Sequence, residues 1–107
     1  MAKVFIPQLP MRYDRATNAS VPSIDVNPAA KYGELVMLFG SETPRATALK
    51  EVKRESAAVV PGDYILAVGD VVLLSLVIAY TLRRFGRATI LRWDSDSRTY
   101  KTEGVEE

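Results

Sequence analysis

A chain of 107 residues supports one domain with a modest core, and 48% hydrophobic against 25% charged residues is a globular balance rather than a disordered one. Fourteen Lys+Arg face thirteen Asp+Glu, so a net charge of +1 gives no global field for nucleic acid or for cationic partners, and any electrostatic site must be local. Cysteine and histidine are both absent, which excludes disulfides, thiolate and imidazole metal sites, a Cys nucleophile and the Ser-His-Asp triad.

Met1 to Pro7 holds no apolar stretch long enough for a signal peptide, so a cytoplasmic location is expected. Val4-Phe5-Ile6 could add one short edge strand. Pro7 to Tyr32 carries four of the six prolines and shows neither helical nor strand period. Residues 1–32 therefore read as an extended N-terminal arm. Irregular segments of that length are usually functional, or cover something.

From residue 33 to 103 the chain alternates as an α/β domain. Leu35 to Phe39 is continuously apolar between Gly33 and Gly40, the pattern of a strand buried on both faces. Ser41-Glu42-Thr43-Pro44 reads as a helix start, with Thr43 as cap and Pro44 in the first helical position. Ala46, Leu49, Val52 and Ala57 mark the inner face of that helix, and Pro61-Gly62 ends the segment as a turn. Tyr64 to Val68 is a second apolar strand. Asp70 caps a second helix, Arg83 and Arg84 suit its last turn, and Gly86 is its left-handed terminator. The apolar run Val71 to Leu82 is shorter than the roughly 20 residues a membrane span needs, so no membrane is expected. Ala88 to Trp93 is a third strand, Asp94 to Ser97 a turn, and Arg98 to Glu103 a return strand; residues 104–107 are expected to fray.

This order predicts a small α/β fold: a mostly parallel β-α-β-α-β sheet, two helices, the extended arm and a C-terminal antiparallel hairpin. Crossovers of one hand running in one direction would put both helices on one face. The other face must then be covered by the arm or by a second subunit, unless the strand order reverses. Self-association is the expected outcome.

Three acidic residues are candidates for a ligand or metal. Asp70 stands where a parallel strand hands over to a helix, a common ligand position, although capping is the favoured reading. Asp94 and Asp96 form a DxD after a strand, able to share a hard cation, although Asp and Ser are also what a hairpin loop wants. There is no GxGxxG and no GxxxxGK[ST], and no cofactor is expected. The one local basic patch is Arg83, Arg84, Arg87, Arg92, Arg98 and Lys101, interleaved with Phe85, Trp93 and Tyr100; the composition suits nucleic acid or a protein partner, and a solvated edge with no ligand is the simpler reading. With a loop over 94–97, Trp93 would oppose Arg98 and Leu91 would oppose Tyr100. The aromatics would then lie on one face, with Arg92 and Lys101 on the other.

Val26-Asn27-Pro28-Ala29-Ala30-Lys31-Tyr32-Gly33-Glu34-Leu35, Val68-Gly69-Asp70 before an apolar helix, Gly86-Arg87 and Leu91-Arg92-Trp93-Asp94 together resemble small proteins of tailed bacteriophages, over roughly residues 21–101. The helix here is richer in Val, Leu and Ile than the Ala-rich version in that group. The resemblance implies a phage accessory protein acting in the host bacterial cytoplasm, and carries no known activity and no catalytic residue. The favoured reading is a non-catalytic, self-associating binding or regulatory module that engages a protein or a nucleic acid through the six basic residues. The alternatives are a Mg²⁺-dependent phosphate-ester or nucleotide enzyme using Asp70 with Asp94 or Asp96, and a virion or assembly component.

Overall fold

The computed structural model describes all 107 residues. Seven strands form: β1 (Lys3–Gln8), β2 (Met11–Asp14), β3 (Ala19–Pro22), β4 (Glu34–Phe39), β5 (Tyr64–Leu66), β6 (Arg87–Asp94) and β7 (Thr99–Glu106). There are two α-helices, α1 (Arg45–Glu55) and α2 (Val71–Phe85), and two short 3-10 turns, Asn27–Tyr32 before β4 and Ser56–Ala58 after α1. The main sheet has the order β4-β1-β5-β6-β7. Its first four strands are parallel, and β7 returns antiparallel on β6. The mostly parallel α/β fold with a C-terminal hairpin is therefore present.

The segment expected as an edge strand is β1, and it lies inside the sheet between β4 and β5. Alternation explains why. Phe5 turns to the helix-side core with Ala48, Val52, Leu73 and Val77, whereas Val4 and Ile6 turn to the opposite core with Leu66, Leu91 and Tyr100. All three are at most 2% exposed. A three-residue apolar run carries too little pattern to separate a central strand from an edge one. The sheet thus spans the expected boundary at residue 32, and residues 1–32 do not form a separate arm.

Nor is the rest of that segment without structure. β2 and β3 pair as a small antiparallel hairpin, and the 3-10 turn Asn27–Tyr32 lies on the sheet, burying Ala29 completely and stacking Tyr32 on Tyr64 at 5.4 Å. Tyr32 also donates to the Tyr100 carbonyl at 2.7 Å. The proline-rich stretch is what covers the sheet face that the helices leave. The strand order follows from this arrangement: β1 leads outward to β4 over one face, and α1 and α2 lead back through β5 to β6 over the other. Right-handed crossovers require that reversal.

The start of α1 differs by one residue from expectation. α1 begins at Arg45, with Pro44 in the cap position and no side-chain cap. Thr43 does not cap, and the turn is instead pinned by Gln8, whose Nε2 donates to the Gly40 and Thr43 carbonyls at 2.8 and 2.9 Å. The buried face of α1 is Ala48 and Val52, with Leu49 beside them, while Ala46 and Ala57 are exposed. α2 forms as its sequence suggests. Asp70 accepts from the Val72 and Leu73 amides, and Gly86 ends the helix at φ 74°. Thr81, buried in this helix, returns its hydroxyl to the Val77 carbonyl at 2.8 Å. No helix is long and apolar enough to cross a membrane.

β7 runs to Glu106 where fraying was expected, and Gly104 pairs with Thr89. The hairpin register also differs from the predicted one. Trp93 opposes Tyr100 and Leu91 opposes Thr102, so the loop is Ser95–Arg98 and Arg98 is no partner for Trp93. The shift is by two residues, which preserves the faces: Trp93 meets Tyr100 edge-on at 5.1 Å, and Arg92 and Lys101 lie together on the other face.

The register has a visible cause in a loop the chain builds twice. In β2–β3, Asp14 accepts from the Ala16 amide and the Thr17 hydroxyl, and Asn18 takes φ 54° before pairing resumes at Ala19. In β6–β7, Asp94 accepts from the Ser97 amide and hydroxyl, and Arg98 takes φ 54° before pairing resumes at Thr99. Asparagine adopts the left-handed region at lower cost than arginine does. Arg98→Asn should therefore raise stability by about 0.5–1 kcal/mol, read as a higher urea midpoint with unchanged m-value.

Candidate functional site

Parallel α/β sheets bind ligands outside the carboxyl ends of strands that lead in opposite directions. Here those strands are β1, which leads to β4, and β5, which leads to β6. Gly69 closes the approach between them at φ 87°, and a Cβ there would stand 2.7 Å from the Gln8 carbonyl oxygen. Beside it opens a mostly apolar cleft of about 480 Å³, walled by Ile24, Val68, Trp93 and Tyr100 with Asp25 at one side. Trp93, the single tryptophan, is 46% exposed. Burial, and then the Asp25 carboxylate, push the Tyr100 phenol up.

Asp70 stands next to this cleft but turns to the helix side. Its Oδ1 takes the Val72 and Leu73 amides at 2.8 and 3.1 Å, and its Oδ2 lies 2.5 Å from Arg45 Nε. The helix amides that would bind a phosphate are thus already occupied by a carboxylate. The Arg45 guanidinium, and after it the Leu73 amide, hold the Asp70 carboxyl below the usual carboxylate range. A depressed folded-state pKa stabilises above the unfolded value of about 3.9 and ceases to do so as pH falls through the folded one. Asp70→Asn keeps a capping oxygen and loses the ion pair. The gap between wild-type and variant urea midpoints should therefore be widest above about pH 4 and narrow in more acid solution.

Asp94 is held by the Ser97 hydroxyl first and Lys101 second, which bring its pKa down to about 2. The Lys101 ammonium is 3.0 Å away. Asp96 lies in the exposed loop. Asp70, Asp94 and Asp96 do not form a metal-binding cluster: no group of three or more acidic side chains that could hold a metal ion forms. Of the three sequence-predicted carboxylates, Asp70 serves as a helix cap and Asp94 as a hairpin-loop anchor.

The six basic residues do not form one patch either. Arg92 pairs with Glu103 at 2.6 Å, and that contact raises its pKa. With Lys101 on Asp94, the exposed face of the hairpin is charge-compensated. Arg98 stands in the loop, and Arg87 lies beside the Pro61-Gly62 turn. Arg83 and Arg84 belong to another site altogether.

That site lies where α1 and α2 end, at the amino edge of the strands. Residues three and four apart share a helix face. Lys50, Lys53, Arg54 and Ala57 thereby come to face Tyr80, Arg83 and Arg84 across a depression of about 490 Å³. Arg84 Nη1 donates to the Ala57 carbonyl at 2.8 Å, fixing the two helix ends together. Arg83 lies over the Tyr80 ring at 5.7 Å. Arg54 is satisfied by Glu51 and Glu55, whereas Lys50, Lys53 and Arg83 have no carboxylate within ion-pair distance. Sequence reasoning singles out none of the α1 cations, because only the helix packing shows what they face. The available signal was the matching i, i+3, i+4 spacing in both helices.

These features form a basic groove, an apolar cleft and a set of carboxylates bound by cations and amides. No curated protein and no solved structure matches the chain. From Ala2 to the end of β7, however, residues 2–106 match the family model of the Phage Pam3 gp32-like protein, and this chain belongs to that phage protein family.

Proposed function

We propose that this phage protein is a non-catalytic binding module that engages the backbone of a single-stranded nucleic acid through the groove between the ends of α1 and α2. The observation that carries the reading is the convergence of Lys50, Lys53, Arg54, Arg83 and Arg84 around one depression in a chain of net charge +1. Helix dipoles favour cations in a last turn, and that alone accounts for Lys53, Arg54, Arg83 and Arg84. It does not account for Lys50, a turn earlier and without a carboxylate partner. Tyr80 lines the groove beneath Arg83, and a stacking base would take the place of the guanidinium over its ring.

The test is fluorescence anisotropy with labelled single-stranded DNA, RNA and duplex DNA across a salt series. Binding that weakens steeply with salt and favours single strands supports the reading. No association even at low salt ends it. The Mg²⁺-enzyme alternative gains no support, because each of its two principal carboxylates already serves the fold.

A further inference from the structure

The main sheet has two free edges, β4 and β7. An edge strand presents unpaired N–H and C=O groups, and proteins that remain monomeric blunt such edges with charge, proline or irregularity. The two edges here are treated differently. β7 carries Lys101, Glu103 and Glu106 with Gly104 among them. β4 reads Glu34-Leu35-Val36-Met37-Leu38-Phe39, one charge at its start and then only apolar residues. Val36 and Leu38 pack against the helix-side core, which turns Met37 to the other face, where it is 49% exposed. β4 is long enough to pair, apolar and unprotected.

We propose that two copies of this chain join β4 to β4, antiparallel, about a two-fold axis through the middle of the strand at Met37, making one continuous sheet. A second copy fits this edge better than a foreign strand because the strand is its own complement. Under a two-fold axis perpendicular to the sheet, directly opposed residues point to the same face. Met37 then meets the Met37 of the copy, and Val36 meets its Leu38. The two Glu34 carboxylates fall at opposite ends of the joint, so the only charge in the strand repels nothing. The helices of both copies share one face and leave the basic grooves accessible, so this proposal stands independently of the nucleic-acid reading.

The absence of native cysteine makes the geometry directly testable. Opposed Cα atoms in an antiparallel pair are about 4.5–5.5 Å apart, within the roughly 4.4–6.8 Å that a disulfide spans. Met37→Cys should form a covalent dimer rapidly under mild oxidation. Val60→Cys, on a residue 46% exposed and away from β4, should not do so at the same concentration. Sedimentation should show a wild-type dimer, and Met37→Lys, with native circular dichroism, should be a monomer. If Met37→Lys does not fold, the cross-linking pair still decides. The proposal is overturned if wild type is monomeric up to near-millimolar concentration. It is equally overturned if Met37→Cys cross-links no faster than Val60→Cys, or if folded Met37→Lys remains a dimer.

Discussion

Phe5→Ala should destabilise the protein by about 3–5 kcal/mol, the range for removing a fully buried aromatic side chain. Phe5 is 2% exposed and touches the core formed by both helices, and its neighbours Val4 and Ile6 fill the opposite core. A domain of this size has a total stability of about 5–15 kcal/mol, so much of it is at stake. The thermal midpoint should fall by roughly 4–8 °C for each kcal/mol lost. Urea unfolding followed through Trp93 fluorescence measures the effect. Tyr13→Ala, at a side chain 59% exposed in β2, is the control and should change stability by no more than about 0.5 kcal/mol. A near-neutral Phe5→Ala would mean that β1 is the dispensable edge its short sequence suggests.

The contrast between β1 and the rest shows what the sequence carries. α2 was legible because independent signals agree: an Asp cap, an apolar run too long for a strand, cations in the last turn and a glycine at the left-handed position. The β6–β7 hairpin was legible in its faces but not its register, because a two-residue slip leaves every side chain on the same side. The register rests on the left-handed conformation of Arg98, and arginine gives no hint of it. The matching Asp14 to Asn18 loop does, since Asn18 marks the equivalent position. β1 was misplaced because centrality is set by what pairs on each side, and three residues cannot encode that. The candidate site was half legible. Arg83 and Arg84 were singled out, but joined to hairpin cations that in fact face Asp94 and Glu103. Their actual neighbours come from α1, and that proximity arises only from helix packing.

The groove makes a quantitative prediction about salt. Each phosphate contact on a single strand contributes about 0.7 to the slope of log K against log salt, so contact by all five groove cations gives a slope near −3.5. The triple variant Lys50→Glu, Lys53→Glu, Arg83→Glu removes three of the four groove cations that have no carboxylate partner and spares Arg84, which ties the helix ends through the Ala57 carbonyl, so it should still fold. Its slope should become shallower by about 2, and its affinity at low salt should fall on the order of a hundredfold. Arg92→Ala with Lys101→Ala is the opposing variant. Those side chains are engaged by Glu103 and Asp94 on the hairpin, so its slope should match wild type. If the hairpin variant loses binding while the helix variant retains it, the contact set is the one read from sequence and the groove is a dipole-satisfying surface. If both retain the wild-type slope, the bound phosphates lie elsewhere on the molecule. Loss in the helix variant alone assigns the nucleic-acid contact to the joined ends of α1 and α2.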